Sequence, residues 1–294
     1  MFEGAYTAMV TPFDKKDRVD EDGLRENVKF QIKNGINGLV PVGSTGECST
    51  LSYEEHNRVI EIVVDAAKGK VPVLAGTGSN STWEAIMLTK HAKEVGADGA
   101  LLVVPYYNKP TQAGLYAHFK KLAEEVDIPQ VIYNIPSRTV VNMLPETMAK
   151  LAKLKNIVGV KEASGDIKQA AKIIELTRGE DFSVISGNDS DTLAIMKLGG
   201  VGVISVASNI VPDKVVKIVE SFRSGDVKTA EKIDRELSPL YKALFIETNP
   251  GPVKMAMNWM GMAAGGPRLP LVELEPENQE KLRKVLVDMK LVRR

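Results

Sequence analysis

Short apolar runs recur along the chain, each leading into glycine, serine, asparagine or proline. They are GAYTAMVT (4–11), GLVPVGSTG (38–46), VPVLAGTG (71–78), GALLVVPYY (99–107), PQVIYNIP (129–136), IVGVKEAS (157–164), FSVISGND (182–189) and GVISVASN (202–209). Their interiors are continuously apolar, which predicts parallel strands covered on both faces. Stretches of helical period separate them. In STWEAIMLTKHAKEVGA, the residues Ile86, Leu88, His91, Ala92 and Val95 recur as one helix face requires. Ser52 with Glu55, and Ser81 with Glu84, predict capping boxes at two helix starts. Strand and helix alternate eight times. This predicts an α/β fold and favours a (β/α)8 TIM barrel over a doubly wound open sheet. After residue 210 only helical patterns continue, broken at TNPGP and GGPRLP. The expected organisation is a barrel over 1–224 and a C-terminal helical region over 225–294.

A barrel of this class carries chemistry where its strands end at their C-termini. Those ends hold Thr11, the turn 43–46, the turn 76–78, Tyr106, Tyr107, Tyr133, Asn134, Lys161, the segment 187–189 and Ser205. Lys161 stands out, because it is the one cation in NIVGVKEAS, a run that is apolar or small up to it. Strand alternation puts Gly159, Lys161 and Ala163 on one face and Val158 and Val160 on the other. The small-residue face leaves room for a bound molecule beside Lys161. A lysine in a dry pocket has a lowered pKa, and a neutral amine attacks a ketone to form a Schiff base. The competing reading is a buried ion pair with Glu162 or Asp166, although Glu162 points to the opposite face. Tyr133 on the next strand could shuttle protons or could be a core aromatic. GSTGE (43–47) could hold a carboxylate with backbone N–H groups and the Ser44 and Thr45 hydroxyls, but it lacks the Gly-Lys-Ser/Thr of a P-loop. Arg138 could clamp a carboxylate.

Composition narrows the options. The 294 residues carry 38 basic and 38 acidic side chains, so no charge excess points to nucleic acid or an anionic membrane. The single cysteine, Cys48, makes no intrachain disulfide and fits a reducing compartment. No apolar run has the length of a membrane span and the N-terminus has no signal-peptide pattern, so a cytoplasmic location is expected. His56, His91 and His118 lie on separate predicted helices without ligand spacing, so no metal is expected. A nucleophile elbow is likewise missing.

With these residues placed, the chain resembles the dihydrodipicolinate synthase family over essentially its whole length. The resemblance lies in TAMVTPF, GSTGE with LSYEEH, AGTGSN, PYYNKPTQ, YNIPSRT, GVKEASGD, SGND, GVISVASN and ETNPGPVK. The wider superfamily of pyruvate-dependent Schiff-base lyases shares the lysine, the tyrosine and the glycine-rich turn. Arg138 in YNIPSRT and Tyr107 in PYYNKP separate the synthases from 2-keto-3-deoxy sugar acid and N-acetylneuraminate-type aldolases. The turn departs from many members in having Ser44 where they have threonine.

The resemblance implies pyruvate and L-aspartate 4-semialdehyde as substrates and no cofactor beyond a covalent imine of pyruvate on Lys161. Tyr133 would be the acid/base, joined through Ser44 or Thr45 to Tyr107 of a neighbouring subunit. Thr45 and the Ile204 backbone would orient pyruvate, Gly187 would line the pocket, and Arg138 would hold the semialdehyde carboxylate. A homotetramer, a dimer of dimers, is implied. So is a possible L-lysine effector site at Ser49, His56, Asn80, Glu84 and Tyr106.

Overall fold

The computed structural model describes residues 2–293. All eight expected strands form: β1 Gly4–Ala8, β2 Gly38–Val40, β3 Leu74–Gly76, β4 Gly99–Val103, β5 Gln130–Asn134, β6 Ile157–Glu162, β7 Ser183–Ser186 and β8 Gly202–Ser205. They lie in the order β2-β1-β8-β7-β6-β5-β4-β3, and helices alternate with them. This is a (β/α)8 barrel with C-terminal helices. The chain divides into two compact units, Met1–Gly4 with Val73–Ile204 and Ala5–Pro72 with Ser205–Arg294. No helix among the described residues is long and apolar enough to cross a membrane.

In the first unit, the parallel registers align side chains in rows. Leu102, Ile132, Val160 and Val184 are successive register partners across β4 to β7. All four belong to the buried core. Helices cover this row with residues at three- and four-residue spacing: Leu115, Phe119 and Leu122 from Gln112–Glu125, and Ala170 and Ile173 from Ile167–Leu176. The adjacent row, Val103, Tyr133, Lys161 and Ile185, therefore faces the other way.

Two helix details differ from expectation. Thr82–Glu94 buries Ala85, Leu88, Thr89 and Ala92, while Ile86, His91 and Val95 are only half-buried. Thr89 belongs inside because its hydroxyl donates to Ala85 O at 2.6 Å and meets Thr77 Oγ1 at 2.8 Å. The Ser52–Glu55 capping box forms fully. At Ser81 the hydroxyl accepts from the Glu84 N–H at 3.4 Å, but the Glu84 carboxylate turns to the Ser79 hydroxyl. TNPGP lies beyond the end of the helix Val227–Ala243 and leads into another, Gly251–Trp259, where Pro252 occupies a first-turn position that needs no N–H.

The second unit is organised around a buried ammonium group. Lys254, fully buried on Gly251–Trp259, donates to Glu47 Oε1 at 2.6 Å, Gly266 O at 2.8 Å and Thr11 O at 3.0 Å. The Phe13 ring lies 4.1 Å from the ammonium and 4.0 Å from the Arg268 guanidinium. Arg268 donates its backbone N–H to Glu47 Oε2 at 2.9 Å and its side chain to both Glu55 oxygens. Burial holds the Lys254 pKa below the ordinary lysine value, and the Glu47 charge opposes that shift. These contacts anchor Glu47 in a left-handed conformation, φ 55°, that a non-glycine residue adopts at a cost.

Lys254→Met should leave the Glu47 carboxylate buried without its cation, a loss of about 3–5 kcal/mol in unfolding free energy. Lys254→Met with Glu47→Leu should lose less than Lys254→Met alone. Denaturant unfolding of the three proteins checks this, and a double variant less stable than the lysine variant would refute the pair as the unit's anchor.

Candidate active site

β6 delivers Lys161 to the inward row, and the residue is only 6% exposed. Its register partner on β5 is Tyr133. The ammonium nitrogen sits 4.1 Å from the centroid of the Tyr133 ring. Space beside the amine is kept by Gly187, just past β7. A Cβ on Gly187 would come within 2.6 Å of Ala163 Cβ and 3.2 Å of Lys161 Cε. The Gly187 N–H donates to Glu162 O at 2.7 Å, which fixes this close approach. Burial lowers the Lys161 pKa from 10.5 to about 7; the Asp189 charge opposes the shift and the Arg138 charge adds to it. An amine near neutrality is free to attack a carbonyl at physiological pH. Ile204, on β8, is fully buried.

The two partners that an ion-pair reading would need are otherwise engaged. Asp166 caps the helix Ile167–Leu176, accepting from the Lys168 and Gln169 N–H groups. The Glu162 carboxylate accepts from Asn134 Nδ2 at 3.1 Å and the Ser164 N–H at 2.7 Å. Alternation along β6 accounts for both findings.

Arg138 lies in a single helical turn, Pro136–Thr139, directly after β5, and its side chain is exposed. Tyr107, after β4, is 87% exposed with φ 72°. An aromatic residue in that region is strained, and strain of this kind collects at functional sites. The preceding Tyr106 accepts at its carbonyl from the Asn108 N–H at 2.8 Å, while Asn108 Nδ2 donates to Asn80 O at 2.9 Å. Asn108 thus brings Tyr106 and Asn80 together, with Glu84 four residues beyond Asn80 on the Ser79 hydroxyl.

In the second unit the Gly43–Glu47 turn presents a half-buried Ser44 and a buried Thr45. Asn249 Nδ2 donates to Thr45 Oγ1 at 2.9 Å and fixes the hydroxyl rotamer. Ser49 is exposed and His56 is buried on the helix Tyr53–Ala67. Sequence reasoning passed over Asn249, Lys254 and the charge of Asp189. TNPGPVK was visible as a motif, but only the fold carries its asparagine and lysine 204 and 207 positions back to the turn.

The geometry agrees with what the chain is similar to. The model of the dihydrodipicolinate synthetase family matches residues 1–289. The 4-hydroxy-tetrahydrodipicolinate synthase of Syntrophus aciditrophicus is 55% identical over 292 residues, covering 99% of this chain and 100% of that protein. The crystal structure of dihydrodipicolinate synthase from Aquifex aeolicus superposes with a TM-score of 0.97 at 50% identity and covers 100% of both chains. That of Cyanidioschyzon merolae, solved with lysine bound, gives 0.96 at 40% identity over 99% of each chain. A matched fold, a matched length and a desolvated lysine facing a tyrosine lead to one conclusion: the chain belongs to the dihydrodipicolinate synthetase family.

Proposed function

We propose that the chain condenses pyruvate with L-aspartate 4-semialdehyde to give 4-hydroxy-tetrahydrodipicolinate, as a Schiff-base lyase of lysine and diaminopimelate biosynthesis. The observation that carries this reading is the amine of Lys161, held dry against Tyr133 with its pKa near neutrality. The neutral amine attacks the pyruvate ketone and water leaves, giving an imine. Loss of a methyl proton gives an enamine, whose carbon attacks the semialdehyde aldehyde. The semialdehyde amine then displaces Lys161 and closes the ring. No cofactor enters this sequence. Tyr133 serves as acid/base for the proton steps. Ser44 and Thr45 carry over from the resemblance as relay and carboxylate-orienting residues, with Ile204 offering its backbone and Gly187 its missing side chain. Arg138 clamps the semialdehyde carboxylate. A cytoplasmic location fits these soluble substrates.

The exposed, strained Tyr107 supports a homotetramer in which this side chain completes the relay of a neighbouring subunit. L-Lysine is proposed as an effector. In the first unit, Glu84 offers a carboxylate for an amine, and Asn80 with Tyr106 offers partners for a carboxylate. Ser49 and His56 are carried over from the resemblance.

Lys161→Ala should abolish the pyruvate adduct trapped by borohydride and read by mass spectrometry; wild-type trapping in that variant would overturn the assignment. In the wild type the neutral amine fraction grows through the Lys161 pKa, so initial trapping rates should rise through about pH 7 and level off above it. The Asp189 charge raises that pKa, so Asp189→Asn should move the midpoint to lower pH. A midpoint at an ordinary lysine value would contradict the desolvated site.

Mixing Tyr107→Phe chains with Lys161→Ala chains tests the shared relay. Verified hybrids should regain part of the activity that each parent lacks, and hybrids without recovery would count against Tyr107 acting across subunits.

Calorimetric lysine titration should show binding to wild type at millimolar concentration or below, with kcat falling more than pyruvate affinity. Glu84→Ala should weaken that binding. Equal binding by both proteins would remove Glu84 from the site.

A further inference from the structure

Glu162 follows the reactive lysine in sequence but points away from it, is 2% exposed, and has no part in the chemistry above. Its surroundings are unusual for a buried carboxylate, because every polar contact is a donor. Asn134 Nδ2 reaches both oxygens at 3.1 and 3.3 Å, the Ser164 N–H donates at 2.7 Å, and Gln169 Nε2 approaches at 3.4 Å. A carboxylate only accepts, so it dictates which way the amides around it turn.

The consequences run outward in order. With its nitrogen towards Glu162, Asn134 must present its oxygen to the Met143 N–H, which it does at 3.0 Å. Its second amide proton goes to Asn142 Oδ1 at 2.9 Å. Gln169, also oriented by Glu162, donates to the same Asn142 Oδ1 at 3.0 Å. Asn142 then has only its nitrogen to offer, and that donates to Gln169 Oε1 at 2.8 Å. One acceptor-only group has set the polarity of three amides and closes a ring with them. Such a network is all or nothing, since reversing one member opposes donor to donor at the next.

The ring grips the return of the segment that carries Arg138. Pro136–Thr139 leads into Val140, a β-branched residue at φ 62°, and then into the stretch 141–144 that the ring holds. Gln112 supports that stretch from outside, donating to Asn142 O at 2.8 Å and accepting from the Leu144 N–H at 3.1 Å. Thr139 braces the turn through Ile135 O and Val141 O at 3.0 and 2.9 Å. The exposed Arg138 itself is thus mounted on a backbone pinned on both sides.

We propose that Glu162 is a positioning residue for recognition of the aldehyde substrate: its carboxylate orients Asn134, Asn142 and Gln169, and the ring they form fixes the backbone that presents Arg138. This rests on the reading of Arg138 as the semialdehyde-carboxylate clamp. It assigns to the residue beside the nucleophile a role in the second substrate's binding and none in the first's.

The test uses the full chain with Glu162→Gln, Gln169→Leu, their double variant and Arg138→Ala. Glu162→Gln is nearly isosteric but places a donor among donors. Amide hydrogen exchange over residues 140–144 should accelerate about tenfold or more in Glu162→Gln as local opening becomes easier. KM for the semialdehyde should rise about tenfold while pyruvate trapping on Lys161 stays within about twofold, because Arg138 touches only one substrate. Gln169→Leu, on a separate helix, should shift the same two readouts, and the double variant should be no worse than the worse single one, as expected for members of one network. Unchanged exchange in both single variants, or equal loss of pyruvate and semialdehyde use, overturns the proposal. Should Glu162→Gln not fold, Gln169→Leu carries both readouts alone. An Arg138→Ala protein that uses the semialdehyde normally would instead remove the clamp reading, and the exchange data would still decide the ring.

Discussion

Keeping one amine out of water is the constraint around which the first unit is arranged. An ammonium ion in a dry interior is costly, and the chain meets that cost by letting Lys161 approach neutrality. Everything near it serves that condition. Ile185 continues the lysine's strand row with an apolar group, Tyr133 covers the nitrogen with a ring face, and Gly187 withholds a side chain that would crowd Ala163 and the lysine stem. The nearby charges pull in opposite directions, Asp189 raising the pKa and Arg138 lowering it, so the amine is tuned and not merely buried.

The second buried lysine shows what the first has been spared. Lys254 is at least as deeply enclosed, yet each of its three ammonium protons has an acceptor, one of them a carboxylate. Its lone pair is therefore committed to N–H bonds, and the group works as a structural cation that ties Glu47 to the C-terminal segment. Burial alone does not make a nucleophile. The difference lies in what the surroundings offer the nitrogen: acceptors in one case, an aromatic face in the other.

Much of this was legible before any coordinates. Eight apolar runs became eight strands because a strand covered on both faces needs apolar residues at every position, and that pattern is local. Lys161 was legible for the same reason, as a cation interrupting such a run. Its pairing with Tyr133 needed the register between β5 and β6, which alternation within each strand does not supply. Residues whose roles depend on distant partners were not legible. Asn249 and Lys254 act on a turn more than 200 positions away, and no spacing rule connects them. The buried face of Thr82–Glu94 was misread by one position because Thr89 counts as polar in a pattern, whereas its hydroxyl is satisfied within its own helix and by Thr77.

Adjacent residues of β6 therefore answer different demands. A strand has two faces, and Lys161 and Glu162 sit on opposite ones, so an amine and a carboxyl group can be buried one residue apart without pairing. Had the carboxylate shared the lysine's face, it would have paired with the ammonium and raised its pKa. Turned outward, it is met by neutral donors, and those side-chain donors come from the last residue of β5 and the helix after β6. The alternation that leaves the amine without a carboxylate partner thereby makes an anchor available for the loop that carries Arg138.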